Sequence, residues 1–425
     1  MMGSATMLGI MRNDTLTVVV FADTILGPNG VRTFYRTLRQ WARRTGEMRV
    51  VVISPVGSDD TDDDADAEVF SVRPDATLPN PIYPGLLLGY YRQSKLRAIV
   101  EQIENPSVIH IATSGPLGVA GARLARKLHI PTVGMCLVDT LRQCIQPYFG
   151  FDGRFARSLA RFVDRRAYKH CRAMSAPSET AAQSTRTFYD GNVEVIPLPV
   201  DVDFFRPAEN REGAFRRKYG ADGKVLAVVI GRMAKEKNLD PLCEHLLGDD
   251  RIRTVFVGDG PYSDHLRQRW NARVIGFLQG DDLLAAFQQA DLFVQLSVAE
   301  TFGLSLVEAM ASGLPAIVMR GRGVADVLPV DSGVEVILPE ELPSLADRCA
   351  RLVADKAAHR RRSLAVRAFA ERLSPDIILP AFVALHRSVL SSASETQPAL
   401  LQEAKTRRAD LLVGTNSVKE KTRVH

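Results

Sequence analysis

Two carboxylates and two cations are the residues best suited to chemistry in this 425-residue chain. The carboxylates lie in residues 299–318, AETFGLSLVEAMASGLPAIV, where Glu300 and Glu308 bracket a run that is otherwise small and apolar. Charged side chains are rarely fully buried without partners, so a placement this specific asks for a reason. A carboxylate accepts hydrogen bonds from sugar hydroxyls. One of the pair can grip a ribose and the other a second sugar. The cations are Arg232 and Lys237 in GRMAKEKNLD (231–240), and two neighbouring cations suit a diphosphate. Plainer readings exist for each residue alone: a loop cap for Glu300, a helix-surface charge for Glu308, solvated charges for Arg232 and Lys237. Their convergence on one edge weighs against those readings.

That edge follows from the elements. DLFVQLS reads as a strand, AETFG as a tight loop, and LSLVEAMASG as a helix ended by Gly313. Glu300 then sits at the carboxyl end of the strand and Glu308 about two turns into the helix. The amides of Phe302, Gly303 and Leu304 fall at the helix start. Unpaired N–H groups and the positive dipole end make that a ready anion site, and Gly303 lets a ligand approach the backbone. Arg232 and Lys237 follow the strand KVLAVVIG. VGDGP (257–261) and VIGFL (274–278) are two more glycine-containing strand ends on the same edge.

Strands alternate with helices throughout, which means βαβ units and mostly parallel sheets. In the first half, TLTVVVFAD, MRVVVISP, SVIHIAT and IPTVGMCLV read as strands, separated by helices such as VRTFYRTLRQWARR and PLGVAGARLARKL. In the second half, KVLAVVIG, RTVFVGDG, ARVIGF, DLFVQLS and PAIVMR read as strands. The expected fold class is α/β with two Rossmann-like, doubly wound domains facing a cleft, the default ligand site. The expected boundaries are 1–14 as a flexible N-terminus, 15–200 and 201–373 as the two domains, and 374–392 as a helix crossing back to the first domain. Residues 393–425, polar and without periodicity, are expected to be disordered.

The balance of 54 basic and 49 acidic residues gives a formal charge of +5, which allows an anionic partner without demanding one. Basic residues are not interleaved with aromatics on any stretch, which argues against nucleic acid. Five scattered cysteines suggest reduced thiols and a cytoplasmic setting. The N-terminus is a poor signal peptide, and no transmembrane helix is expected from the apolar runs. The acidic run SDDTDDDADAE (58–68) reads as a solvated loop rather than a DxD metal site, and no metal or other cofactor is expected. RFARSLARFVDRRAYKHCR (154–172) places Arg154, Arg157, Arg161 and Arg165 on one helical face. That stripe reads either as a solvated face or as a patch for an anionic membrane surface. His110, inside a strand, reads as a core or edge residue.

Taken together, GR with a Lys five residues on, VGDGP, and VIGFLQGDDLLAAFQQADLFVQLSVAETFGLSLVEAMASGLPAIV resemble the GT-B glycosyltransferases of the large retaining family that includes bacterial phosphatidylinositol and diacylglycerol glycosyltransferases. FADTILGPNGV resembles that family's first loop, VIHIATSGPLG its third strand and following helix, and VIPLPVDVDFF its linker. The resemblance spans roughly residues 15–390. It implies a nucleotide-sugar donor, UDP- or GDP-linked, held by the second half without a metal, and an acceptor hydroxyl on a lipid-linked, polysaccharide or other glycoconjugate acceptor. By position it implies Arg232 and Lys237 on the diphosphate, Glu308 on the ribose, and Ile275 beside the base. It implies Glu300 with the amides of Phe302, Gly303 and Leu304 on the donor sugar and a phosphate, and Gly30 closing over the diphosphate. Two positions depart from the pattern. Leu137 and Val138 stand where a His-Thr pair is usual, so either neighbouring Asp139 takes a related catalytic role, or the acceptor geometry differs, or transfer is weak or lost. Pro199 stands where Gly is commoner. Two other functions fit this reading: a non-catalytic nucleotide-sugar-binding partner, and a GT-B-like nucleotide-sugar epimerase.

Overall fold

The computed structural model describes residues 15–23, 29–55, 68–79, 87–146, 153–220, 223–321, 323, 328–329 and 331–391. The N-terminal segment 1–14, most of the acidic run and the tail 392–425, each the subject of an expectation above, lie outside the described residues.

The first half is built on seven parallel strands: β1 (Leu16–Phe21), β2 (Met48–Pro55), β3 (Val69–Val72), β6 (Val108–Ile111), β7 (Thr132–Met135), β8 (Ala173–Ala176) and β9 (Asn192–Val195). Their order is β3-β2-β1-β6-β7-β8-β9, with a small antiparallel pair, β4 (Ala76–Pro79) and β5 (Leu87–Tyr90), to one side. All six residues of β1 are buried, as expected where helices cover both faces of a parallel sheet. One face packs Phe34, Tyr35 and Leu38, and the other Leu96, Leu117 and Leu124. The second half holds five parallel strands: β10 (Val225–Ile230), β11 (Ile252–Val257), β12 (Leu292–Gln295), β13 (Ala316–Met319) and β14 (Val334–Ile337), in the order β11-β10-β12-β13-β14. Both sheets therefore reverse strand order beside their first strand, between β1 and β6 and between β10 and β12. Ligands of doubly wound sheets bind at such switch points.

One expected strand is corrected. ARVIGF makes only isolated bridges, Phe256↔Val274 and Gly258↔Gly276. Its place as the fifth strand is taken by β14. Gly276, at φ 85°, turns the chain before a ladder can form.

The linker is held from the C-terminal side. The Val200 amide donates to the Leu373 carbonyl (2.9 Å), and Arg367 Nη1 donates to the carbonyls of Val202, Phe205 and Ala311 (3.0, 2.8 and 2.7 Å). Helix Pro375–Ser391 then returns to the first half, burying Leu379, Phe382 and Leu385. Trp41 Nε1 donates to Asp376 (2.8 Å), and Arg172 to the Val389 carbonyl (2.7 Å). Here the sequence expectation of no spanning helix meets a qualification. The stretch Lys356–Leu390 is long and apolar enough by length and composition to cross a membrane. It is interrupted between helices Lys356–Glu371 and Pro375–Ser391, and Leu379, Phe382 and Leu385 lie inside the protein while Leu364 and Ile377 are exposed.

His110 and His386 join that helix to the sheet. Tyr35 Oη lies 2.7 Å from His110 Nε2, His110 Nδ1 lies 2.9 Å from His386 Nε2, and His386 Nδ1 lies 2.8 Å from the Phe382 carbonyl. A carbonyl only accepts, so His386 Nδ1 donates to it. The donors then run in one direction back to the Tyr35 hydroxyl, with both rings neutral. Burial depresses both imidazoles, that of His386 to about 4.

Candidate active site

At the second switch point, the loop after β10 and the loop after β12 meet. Lys237 closes a single 3-10 turn, Lys235–Lys237, and Asn238 ends that turn in the left-handed conformation (φ 54°). This aims Lys237 Nζ at Glu300 Oε1, 2.6 Å away. Gln295, the last residue of β12, donates its Nε2 to the same oxygen (3.0 Å). Burial works against ionisation of Glu300. The Lys237 charge and the hydrogen bonds from Lys237, Ser297 and Gln295 outweigh it and hold the carboxyl below its ordinary value. Arg232 lines the same cleft with Gly231, Ser297 and Ser305, its guanidinium 3.7 Å from Glu236. The sequence-derived residues Arg232, Lys237 and Glu300 are thus brought together.

Helix Leu304–Ala311 begins at this point. Gly303 precedes it at φ 99°, a conformation that favours glycine, and offers no side chain to cap the helix. Among the described residues, the amides of Leu304 and Ser305 have no hydrogen-bond acceptor. Phe302 is buried. Glu308 lies on the half-buried flank of this helix, and its carboxyl has no hydrogen-bond partner among the described residues. Burial pushes it up to about 8. The two glutamates of one motif are therefore in opposite states near neutrality: Glu300 ionised and paired, Glu308 protonated and unpaired.

Gly30 opens helix Gly30–Thr45 on the other side of the cleft. A Cβ there would stand 3.2 Å from Leu304 Cδ1, so the first loop and the start of the second-half helix are nearly in contact. Ile275 is on the same strand-end edge but farther along, its amide donating to the Phe256 carbonyl (3.0 Å). Nearby, the Gly258 amide donates to the Gly276 carbonyl (2.7 Å), and the Gly231 amide to the Val257 carbonyl (3.0 Å).

Asp139, the candidate beside Leu137, has a structural part as well. It caps a wide helical turn, Thr140–Ile145, accepting from the Arg142 amide (3.0 Å) and from the Ser184 hydroxyl (3.1 Å). Leu137, at the departure from the family pattern, has a buried side chain, and its carbonyl accepts from the Thr301 hydroxyl (2.8 Å). Arg154, Arg157, Arg161 and Arg165 are all exposed on helix Arg154–Tyr168. Phe155, Leu159 and Phe162 share that exposed side, Phe155 being 75% accessible, a feature the charge pattern had masked.

Sequence reasoning missed several residues. Asp23, just after β1, is buried, and its carboxylate accepts from the amides of Leu117 (2.7 Å) and Gly118 (3.0 Å) and the Thr113 hydroxyl (2.8 Å). Burial raises its pKa, and these bonds only partly offset that. Gln295, Gln143, Ser178 and Thr301 also act on the site. The one available signal was the start of helix Pro116–Leu128: Gly115 cannot cap it, so its cap had to come from elsewhere in the chain.

Comparison with known proteins agrees on one family. A model described as Glycosyl transferases group 1 matches residues 212–368, and one described as Glycosyltransferase Family 4 matches residues 28–204. Sulfoquinovosyl transferase SQD2 of Arabidopsis thaliana is 28% identical over 315 residues, which is 71% of this chain and 59%, less than two thirds, of that protein. A GDP-mannose-dependent alpha-mannosyltransferase of Mycobacterium tuberculosis is 29% identical over 350 residues, covering 80% of this chain and 88% of its own length. The alpha-monoglucosyldiacylglycerol synthase of Acholeplasma laidlawii is 26% identical over 314 residues, with 68% and 76% covered. Among solved structures, sucrose-phosphate synthase from Thermosynechococcus elongatus superposes with a TM-score of 0.70 at 17% identity, over 89% of this chain and 100% of that one, which speaks to fold.

Proposed function

The chain belongs to the group 1 glycosyltransferases of GT-B fold, and from that premise we propose that it moves a sugar from a nucleotide-sugar to an acceptor hydroxyl, with retention and without a metal, in glycolipid synthesis. The observation that carries this reading is the convergence of Arg232, Lys237, Glu300 and an uncapped helix start on one cleft. A diphosphate placed there meets two cations and free amides, the groups that stabilise a leaving phosphate as the glycosidic bond breaks. In the proposed reaction, the bond from the anomeric carbon to phosphate breaks and the bond to the acceptor oxygen forms on the same face. The acceptor proton passes to the departing phosphate. Glu300, held ionised, orients the donor sugar, and Glu308 receives the ribose hydroxyls. Asp139 is already engaged as a cap, so it takes no proton in this scheme. The names of the mannosyltransferase and diacylglycerol synthase relatives support a hexose donor and a lipid acceptor.

The lipid part of the proposal gains support from helix Arg154–Tyr168. Its exposed side alternates arginines with Phe155, Leu159 and Phe162, and cation with apolar anchor is the composition that rests on an anionic bilayer. Flotation with phosphatidylglycerol vesicles tests it. Binding should disappear in an Arg157→Glu, Arg161→Glu variant, and retention of binding would remove the membrane from the proposal. For the reaction itself, the enzyme is incubated with UDP-glucose or GDP-mannose and with diacylglycerol or phosphatidylinositol in mixed micelles, with and without EDTA. The expected result is an α-linked glycolipid whose formation EDTA leaves intact. Sugar isomerised without acceptor, or donor bound without turnover across the panel, would replace the proposal.

A further inference from the structure

Glu300 is held from both halves of the molecule, and the two grips differ in kind. Its own half fixes the carboxylate through Lys237 and Gln295. The first half fixes the backbone on either side of it. Gln143 Nε2 donates to the Ala299 carbonyl (2.6 Å), the Thr301 hydroxyl donates to the Leu137 carbonyl (2.8 Å), and the Ser178 hydroxyl donates to the Thr301 carbonyl (2.7 Å). Ser178 also accepts from the Ala181 amide (3.2 Å), so one hydroxyl caps its own helix and reaches across the cleft. The loop needs this help. Among the described residues, none of the amides of residues 298–302 donates to a backbone carbonyl. The Ala299 carbonyl lies in the planar peptide unit that carries the Glu300 amide. Pinning it, and pinning Thr301 at side chain and carbonyl, bounds the rotations that aim the Glu300 side chain.

We propose that Gln143, Ser178 and Thr301 are positioning residues that set Glu300 only when the two halves are closed, so that closure and competence of the donor-sugar carboxylate are one event. This rests on the sugar-transfer reading of the cleft. Thr301→Val removes a hydroxyl at nearly constant shape, Gln143→Leu removes a different bond, and Thr301→Ser restores the first. With UDP-glucose and GDP-mannose as probes, kcat is expected to fall about tenfold in Thr301→Val and in Gln143→Leu, with donor KM within about threefold, because only the aim of Glu300 is lost. Thr301→Ser should recover most of the rate. Small-angle scattering without ligand reads closure independently of activity. Thr301→Val should have a larger radius of gyration than wild type, and Thr301→Ser should not. If wild type turns over neither probe, the sugar-transfer reading fails and scattering alone decides the closure contact. Unchanged compactness in both hydroxyl-free and amide-free variants overturns that contact. Opened variants that keep wild-type kcat overturn the positioning role.

Discussion

The two switch points are built alike and finished differently. In the first half, the helix after β6 starts against the carboxylate of Asp23, which follows β1. In the second half, the helix after β12 starts at a bare Gly303, and the loop after β10 supplies Arg232 and Lys237. The first helix start is filled by an anion of the protein itself. The second, among the described residues, is left open beside two cations. A helix start draws negative charge either way, so what distinguishes a ligand site from a structural joint is whether the chain has already provided that charge. The Tyr35–His110–His386 chain of the first half likewise closes its polar groups within the protein.

Four changes would break or sharpen this contrast. The largest effect is expected at the open site. Lys237→Ala should lower kcat/KM for the donor by about a hundredfold or more, roughly 2.7 kcal/mol, and an unaltered value would mean that the open helix start is not a phosphate site. At the filled site the change should appear in stability instead. Asp23→Ala leaves the amides of Leu117 and Gly118 unpaired and takes from the Thr113 hydroxyl its acceptor, so urea unfolding should show a loss of about 2 kcal/mol with donor binding retained. A comparable loss of donor affinity would show that the first half binds phosphate too.

Glu308 comes next. An ionised carboxyl is the better acceptor for ribose hydroxyls, so donor affinity should rise as pH rises through about 8. The stability sign is opposite. The folded state holds this proton well above the ordinary carboxyl pKa of ~4.3, so stability falls as pH rises from there toward about 8. Glu308→Gln should therefore weaken donor binding about tenfold while leaving the melting temperature at pH 8 unchanged or raised. A lowered melting temperature would contradict the unpaired state of this carboxyl.

Ring by ring, the smallest effect belongs to the histidine chain. Both rings are neutral in the fold, so stability is complete above the unfolded imidazole pKa of ~6.5 and is lost as pH falls from there toward about 4. Denaturation at pH 7.5 and 5.5 should differ by about 1 kcal/mol per ring. The double variant His110→Phe, His386→Leu should flatten that difference.

What could be read in the sequence follows from where each interaction lives. β1, β2, β10 and β11 are runs of six to eight mostly apolar, β-branched residues, so their burial on both faces is written locally. β3, β8, β9 and β14 are no shorter than β6 or β12, but their cores, VFSV, AMSA, NVEV and VEVI, are broken by polar or small residues, and the sheet recruits them by pairing. The site divides the same way. Glu300, Gly303 and Glu308 occupy one strand-loop-helix unit and were legible from spacing. The Lys237–Glu300 contact spans 63 residues and Thr301–Leu137 spans 164, and nothing local announces either. Asp139 shows the converse: its position in the sequence suggested chemistry, while its role as the cap of the turn after it shows only in the structure.

The crossover helix has a consequence for how the chain is made. Phe34, Tyr35 and His110 are translated early, yet the side chains that cover and pair with them, Phe382 and His386, come some 270 residues after His110. The first sheet can form on the ribosome, but its surface remains uncovered until helix Pro375–Ser391 has left the exit tunnel. During that interval the nascent first half presents an apolar face to the cell, and a ribosome stalled before residue 375 would leave a client for chaperones rather than a finished domain.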